Sequence, residues 1–153
     1  MLFLVVTIAL IGMATASLAP AIRRAGDAVV ASADVASARR SSRIDVIHVA
    51  GEVGTSQVEI WVKNVGSNRL FALEQTDVFF GIPTDLQGIP YGGAGCTAPC
   101  WQDELENDTE WNQAATLHIT VSLTTPLAAS TLYSARVVAP TGVDDSALLA
   151  TPP

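Results

Sequence analysis

The sequence predicts an α+β chain: a long hydrophobic N-terminal α-helix followed by an all-β, immunoglobulin-like sandwich head. Three observations predict it. Residues 1–22 carry no charge, in a chain that is 49% apolar and 15% charged. Ala-rich sequence with helical spacing continues beyond them. From Ile44 onward, apolar and polar residues alternate with the period of two that belongs to strands. The expected division is a helix over 1–43 and a head over 44–153, and 153 residues suit one domain with one appendage.

Charge follows the same division. Five of the eight basic residues (Arg23, Arg24, Arg39, Arg40, Arg43) fall between 23 and 43, opposed there and just beyond by Asp27, Asp34 and Asp45. From Val46 on there are three basic and twelve acidic residues, a net of −9 within a whole-chain charge of −7. Lys63 is the only lysine. This balance excludes a basic nucleic-acid binder. The apolar content and the 15% charge exclude a disordered chain.

As a helix, residues 1–22 reach about 33 Å, enough to cross the apolar core of a bilayer. Small residues at Ala9, Gly12, Ala14, Ala16 and Ala19 let neighbouring helices approach closely. The favoured reading is therefore a helix buried among copies of itself, with a lone membrane anchor and a cleavable signal peptide as alternatives. A signal peptide starts with positive charge, and no Lys or Arg precedes Arg23. Leu2, Leu4, Val5, Ile8, Ile11, Gly12, Pro20, Ile22 and Val29 are the residues expected to build the assembly surface. Pro20 removes a backbone donor and crowds the carbonyl of Ala16, so a kink is expected there. Beyond it, Arg23, Asp27 and Asp34 share one helix face, and Ile22, Val29, Ala33 and Ala36 share the opposite one.

In the head, Ile44, Val46, Ile47 and Val49 open a first strand that Gly51 and Gly54 close. Val58, Ile60 and Val62 alternate with polar neighbours, and Asn64-Val65-Gly66-Ser67-Asn68 supplies a turn. Leu70-Phe71-Ala72-Leu73 and Val78-Phe79-Phe80 read as short strands, and residues 81–99 as a loop. Leu117, Ile119, Val121 and Leu123 give the cleanest alternation, followed by strands over 131–138 and 147–149. Six to eight short strands separated by turn residues match an immunoglobulin-like sandwich.

Chemistry-bearing patterns are few. Cys96 and Cys100 lie in GCTAPC with three residues between them. Neither His48 nor His118 has the spacing that would complete a zinc site with them, and a thioredoxin motif has two intervening residues. A disulfide that staples the loop is the best reading, and it implies an oxidising, extracytoplasmic location. Asn107-Asp108-Thr109 fits the N-glycosylation sequon, which makes Asn107 a candidate modification site. Asp103, Glu104, Glu106, Asp108 and Glu110 are read as a solvated acidic loop rather than a calcium loop, because the EF-hand order is absent. No nucleophile elbow, phosphate loop or dinucleotide fingerprint occurs. The expectation is a protein that is not an enzyme and takes no cofactor, metal, nucleic acid or small-molecule substrate.

The uncharged N-terminal stretch MLFLVVTIALIGMATASLAPAI, its Ala-rich continuation and the acidic β head together resemble an archaellin, the type IV pilin-like subunit of the archaeal swimming filament. Val5 stands where bacterial type IV pilins typically carry a glutamate, which favours the archaellin side. VEIWVKNVGSNRL, LEQTDVFFG, TLHITVSL and LYSARVVAPTGVDDS also make the head similar to the archaellum accessory proteins of the F and G type.

The resemblance implies a structural subunit that polymerises through its N-terminal helix into an extracellular motility filament. Its partners would be copies of itself, the membrane before assembly, and the archaellum motor and assembly platform. Burying roughly 1,000 Å² of apolar helix per subunit would give on the order of 25 kcal/mol before entropy is charged against it. Two alternatives belong to the same reading: a membrane-anchored accessory or stator protein whose head binds the cell envelope, and an adhesive pilin.

Overall fold

Alternating apolar residues have one stable outcome in a short acidic head, which is two sheets that bury their inner faces against each other. The computed structural model describes residues 41–153 together with Ser37. The expected assembly helix, from Leu2 to Val29 with its Pro20 kink and its crossing of a bilayer, lies outside the described residues. Ala38–Pro153 forms one compact unit. Among the described residues, no helix is long and apolar enough to cross a membrane.

The strands are β1 (Ile44–Gly51), β2 (Gln57–Asn64), β3 (Asp77–Ile82), β4 (Asp85–Ile89), β5 (Cys100–Leu105), β6 (Thr116–Ser122), β7 (Leu132–Val138) and β8 (Asp144–Ala150). They form two four-stranded sheets, in the orders β1-β2-β6-β5 and β4-β3-β7-β8. Every strand pair within the sheets is antiparallel. The described head is therefore an all-β, immunoglobulin-like sandwich.

The two cleanest alternations in the sequence became neighbours. Val58, Ile60 and Val62 of β2 stand opposite Val121, Ile119 and Leu117 of β6, and all six are wholly buried. Val78 and Phe80 of β3, with Ala135 and Val137 of β7, cover them from the second sheet. Tyr133 stacks on Phe80 and its hydroxyl accepts the N–H of Ala128 at 2.9 Å, as in the tyrosine corner of immunoglobulin-like domains.

The first strand carries a bulge. Pairing runs from Val46↔Val62 to His48↔Trp61, so Ile47 is the extra residue and faces solvent. The bulge resets the alternation, and Val46 and Val49 both point inward. At this edge the Val46 N–H donates to Asp145 Oδ2 of β8 at 2.7 Å, a side chain of one sheet capping the outer edge of the other.

Three local expectations are corrected. Leu70-Phe71-Ala72-Leu73 is not a strand: Leu70 makes an isolated bridge to Trp111, and a 3₁₀ turn follows at Leu73–Gln75. Ala72 takes a left-handed conformation there (φ 55°), which ends any extended run. Residues 81–99 are not all loop, because β4 folds back on β3 through a two-residue turn, pairing Ile82 with Asp85 and Val78 with Ile89. The acidic run is part strand: Gln102, Asp103 and Glu104 lie in β5, held against β6 by the Trp101↔Val121 and Leu105↔Leu117 pairs. Polar residues are accepted there because β5 is a sheet edge.

Candidate interaction surfaces of the head

The first surface is the joint where the chain enters the head. Asn64 ends β2, is fully buried, and uses its whole carboxamide. Nδ2 donates to the carbonyls of Asn68 (2.8 Å) and Trp111 (3.0 Å), and Oδ1 accepts the Gly66 N–H (3.0 Å). The turn so formed presents four backbone donors to the entering strand. Val65 and Gly66 donate to the Arg43 carbonyl, each at 2.9 Å, and Ser67 and Asn68 to the Ser41 carbonyl at 2.9 and 3.3 Å. Gly66 is required by this approach, since a Cβ there would lie 2.5 Å from the Arg43 nitrogen and 2.6 Å from the Ser41 oxygen.

The outer face of the β1-β2-β6-β5 sheet is polar. His48, Trp61, His118 and Glu104 occupy one transverse row, each opposite the next across the strands. Trp61 stacks on His118 with centroids 4.6 Å apart and lies 5.2 Å from His48. Its indole N–H donates to Glu106 at 2.6 Å, and Glu59 Oε2 lies 3.4 Å from His118 Nε2 without hydrogen-bond geometry. Trp61 is thus flanked by both imidazoles, stacked on His118 and tilted by 38° to His48, which is exposed. Among the described residues, no group of three or more His, Cys, Asp or Glu is placed to hold a metal ion.

The outer face of the β4-β3-β7-β8 sheet is different in kind. Two adjacent rows, Gly88-Phe79-Arg136-Ser146 and Leu86-Gly81-Ser134-Leu148, cross it. Phe79 packs beside Gly88, its Cε1 and Cδ1 lying 3.6 and 3.8 Å from where a Cβ would sit. Leu132 and Leu148 are 46% and 62% exposed. The charged pair within it is Arg136–Asp144, in which Nε and Nη2 both reach Asp144 Oδ2 at 2.9 Å, and Asp77 stands at the rim.

Of the residues expected from sequence, Cys96 and Cys100 are joined in a disulfide. It closes a loop that also contains the cis Ala98–Pro99 bond. Unlike the bridge of antibody domains, it does not link the two sheets. The loop packs over Gly92, where a Cβ would fall 2.4 Å from that of Cys96. Asn107 is exposed, but its carboxamide clamps its own loop, with Oδ1 accepting the Thr116 N–H at 2.8 Å and Nδ2 donating to the Ala114 carbonyl at 3.4 Å. Next to it, the Asp108 carboxyl is held below its ordinary value of 3.8 by hydrogen bonds from the Asn112 side chain and the Thr109 N–H. The Tyr91 phenol is raised above 10.0, chiefly by its hydrogen bond to Asp103.

The joint at Asn64 and the apolar sheet face were not foreseen as surfaces. The Asn-x-Gly signal marked a turn but not what the turn would hold, and the apolar face needs β4, which was read as loop.

Several solved structures are similar to this chain in fold, among them the following three. FlaG, the archaellum periplasmic stator protein from Sulfolobus acidocaldarius, matches with TM-score 0.61 and 20% identity over 71% of this chain and 99% of that chain. The head shares its fold with archaellum proteins. Archaeal flagellin FlaB1 from Methanocaldococcus jannaschii gives 0.61 and 11% identity, over 73% of this chain and 91% of that one. The archaeal flagellum of Methanospirillum hungatei strain JF1 gives 0.63 and 12% identity, over 97% of this chain and 90% of that one. No family model matches the sequence, and neither does any curated protein. In this sandwich the joint at Asn64 holds the entering chain, and the two outer sheet faces carry exposed side chains such as His48 and Leu148.

Proposed function

We propose that this chain is a component of an archaellum, a structural protein whose head transmits force and binds other proteins. The observation that carries the reading is the joint at Asn64. A pull on the chain at residues 41–43 is shared among four backbone hydrogen bonds to one turn, then passed into the β1–β2 ladder. A buried carboxamide bonded on both sides keeps that turn from opening. Such a joint suits a head tethered through its N-terminus and loaded mechanically. The disulfide agrees with a place outside the cytoplasm.

Two finer roles follow, and an accessory or stator role is preferred. The likeness to FlaG covers nearly all of that protein's chain at 20% identity, against 11–12% for the filament proteins. In this role residues 1–22 hold the protein in the membrane and the head reaches the envelope or the filament base. The filament-subunit role is favoured by the likeness to the Methanospirillum hungatei flagellum over 97% of this chain. In that role Leu2, Leu4, Val5, Ile8, Ile11, Gly12, Ile22 and Val29 pack among copies, Pro20 kinks the helix, and a bulky residue at Gly12 abolishes assembly while leaving the head folded.

Shearing cells and measuring the chain in each fraction decides between them. Retention with the membrane, with loss of swimming on deletion, supports the accessory role. A chain that makes up the bulk of sheared filaments establishes the subunit role. Normal swimming without the chain would overturn both.

A further inference from the structure

We propose that the cleft between the Leu70–Glu74 turn and β5 binds a lysine or arginine side chain of a partner protein, seated on the Tyr91 ring between Asp103 and Glu74. The register of β5 gives the first reason. Trp101, Asp103 and Leu105 stand opposite Val121, Ile119 and Leu117, on the face turned toward the core. The pattern calls for an apolar residue at the middle position, and a carboxylate there breaks the alternation that builds the sandwich. Asp103 instead lines a cleft of about 300 Å³ with Arg69, Phe71, Glu74, Tyr91 and Glu110.

The cleft itself shows what it accepts. On one side the Arg69 guanidinium lies 4.0 Å from the Phe71 ring centroid and pairs with Glu110. On the other side the same parts recur, an aromatic ring (Tyr91) with two carboxylates (Asp103 and Glu74) beside it. Arg69 is the only basic residue among those that line the cleft, and it is engaged at Phe71 and Glu110. The Tyr91 station is held ready. The Gly92 N–H donates to the Trp101 carbonyl at 3.0 Å and the Trp101 N–H to the Pro90 carbonyl at 2.9 Å, which fixes Tyr91 beside β5. Trp101 meets the Tyr91 ring at 60° with centroids 4.7 Å apart, and Tyr91 remains 42% exposed. A ring already in place loses little freedom when a ligand arrives.

Charge and hydrogen bonding select the occupant. One basic residue against three acidic ones leaves the lining negative. The Tyr91 hydroxyl keeps its proton, held by its hydrogen bond to Asp103 first and by burial and the two carboxylate charges after that. The ring therefore stays neutral, with an electron-rich face that attracts a cation. Among the described residues no group of three or more His, Cys, Asp or Glu is placed to hold a metal ion. A long basic side chain fits better, laying its methylenes on the ring and its charge at the carboxylates. Trp111 lines the same cleft, is 1% exposed, and has an indole N–H without an acceptor among the described residues. A peptide segment brings both a cationic side chain for the carboxylates and carbonyl oxygens for such a donor.

The inference rests on the proposed role in one respect, that the head binds another protein, and it names the chemistry of that contact. The test titrates the purified full chain in a mild detergent with acetyl-Gly-Arg-Gly-amide and its lysine counterpart over a millimolar series. The Tyr91 ring and the Trp101 indole N–H are followed by NMR. Saturable shifts are expected, weakened by added salt. The citrulline tripeptide, equal in shape but uncharged, should bind about fivefold more weakly or less. Asp103→Asn, which keeps the shape and removes the charge, should weaken the arginine peptide to a similar degree, as should Tyr91→Leu. Glu104→Gln, on the outer face of the same strand, should leave binding unchanged. Absence of saturable shifts overturns the proposal, as does citrulline binding equal to arginine. So does binding indifferent to Asp103→Asn, or weakened as much by Glu104→Gln, since the general acidity of the head would then be responsible. The shear fractionation reads the role independently, so either can fail alone.

Discussion

Asn64 Nδ2 lies 3.0 Å from the carbonyl oxygen of Trp111 and donates to it, joining the end of β2 to a segment 47 residues further along the chain. Around this bond the head gathers its own N-terminal entry, a turn and a buried tryptophan. Replacing Asn64 with Ala removes three hydrogen bonds, while the Trp111 carbonyl keeps the Leu70 N–H and the Gly66 N–H keeps the Arg43 carbonyl. The expected cost is about 1–3 kcal/mol, since the Asn68 carbonyl is the group left to find a new partner. Urea denaturation measures it, and a loss under 1 kcal/mol would show that water replaces the carboxamide.

Gly66→Ala tests the same joint from the other side. The added methyl meets backbone atoms of Ser41 and Arg43, which cannot swing aside as a flexible side chain would. A destabilisation of about 1–3 kcal/mol is expected. Amide exchange should quicken at residues 65–68, the donors to that backbone. Unchanged exchange there would mean that the entry is held elsewhere.

The Cys96–Cys100 bridge closes a short loop, so its stabilisation is modest. The chain-entropy relation gives about 2 kcal/mol for so few residues. Cys96→Ser with Cys100→Ser should lower the unfolding free energy by that amount and leave the fold intact, and Gly92→Ala should perturb the same loop by crowding Cys96. Circular dichroism with and without reductant checks this, and complete unfolding on reduction would contradict it.

Asp108 supplies a pH test. Its folded pKa is lowered by the Asn112 side chain first and the Thr109 N–H second. The stabilising contribution is therefore complete above the unfolded value, about 3.9, and is lost as pH falls through the lowered folded value. Carbon NMR titration of the carboxyl should show Asn112→Ala moving the pKa upward, toward 3.8. A titration indifferent to that substitution would break the assignment.

What could be read from the sequence was whatever local periodicity decides. β2 and β6 were legible because Val58 to Val62 and Leu117 to Val121 alternate without interruption, and their pairing was then the economical way to bury both. β7 was legible for the same reason. β4 was not, because Asp85-Leu86-Gln87-Gly88-Ile89 has a glycine and too few apolar residues, and is made a strand by the β3 edge it pairs with. β5 hid within an acidic run for the same cause. The Leu70–Leu73 run misled in the other direction: its apolar residues pack as a bridge and a turn, with Phe71 beneath the Arg69 guanidinium at 4.0 Å. Of the candidate surfaces, the disulfide was readable from spacing. The joint at Asn64 was not, because it depends on Ser41, Arg43 and Trp111, which only the fold brings to one place.

The capping of Val46 by Asp145 has a consequence for heads that stand beside one another. A sheet that ends in an open row of N–H and C=O groups invites the next molecule to add a strand, and the products of such addition are aggregates. By lending a carboxylate to that edge, β8 removes a donor from the template and places negative charge beside it. Many heads can then stand close together for long periods and still remain separate molecules.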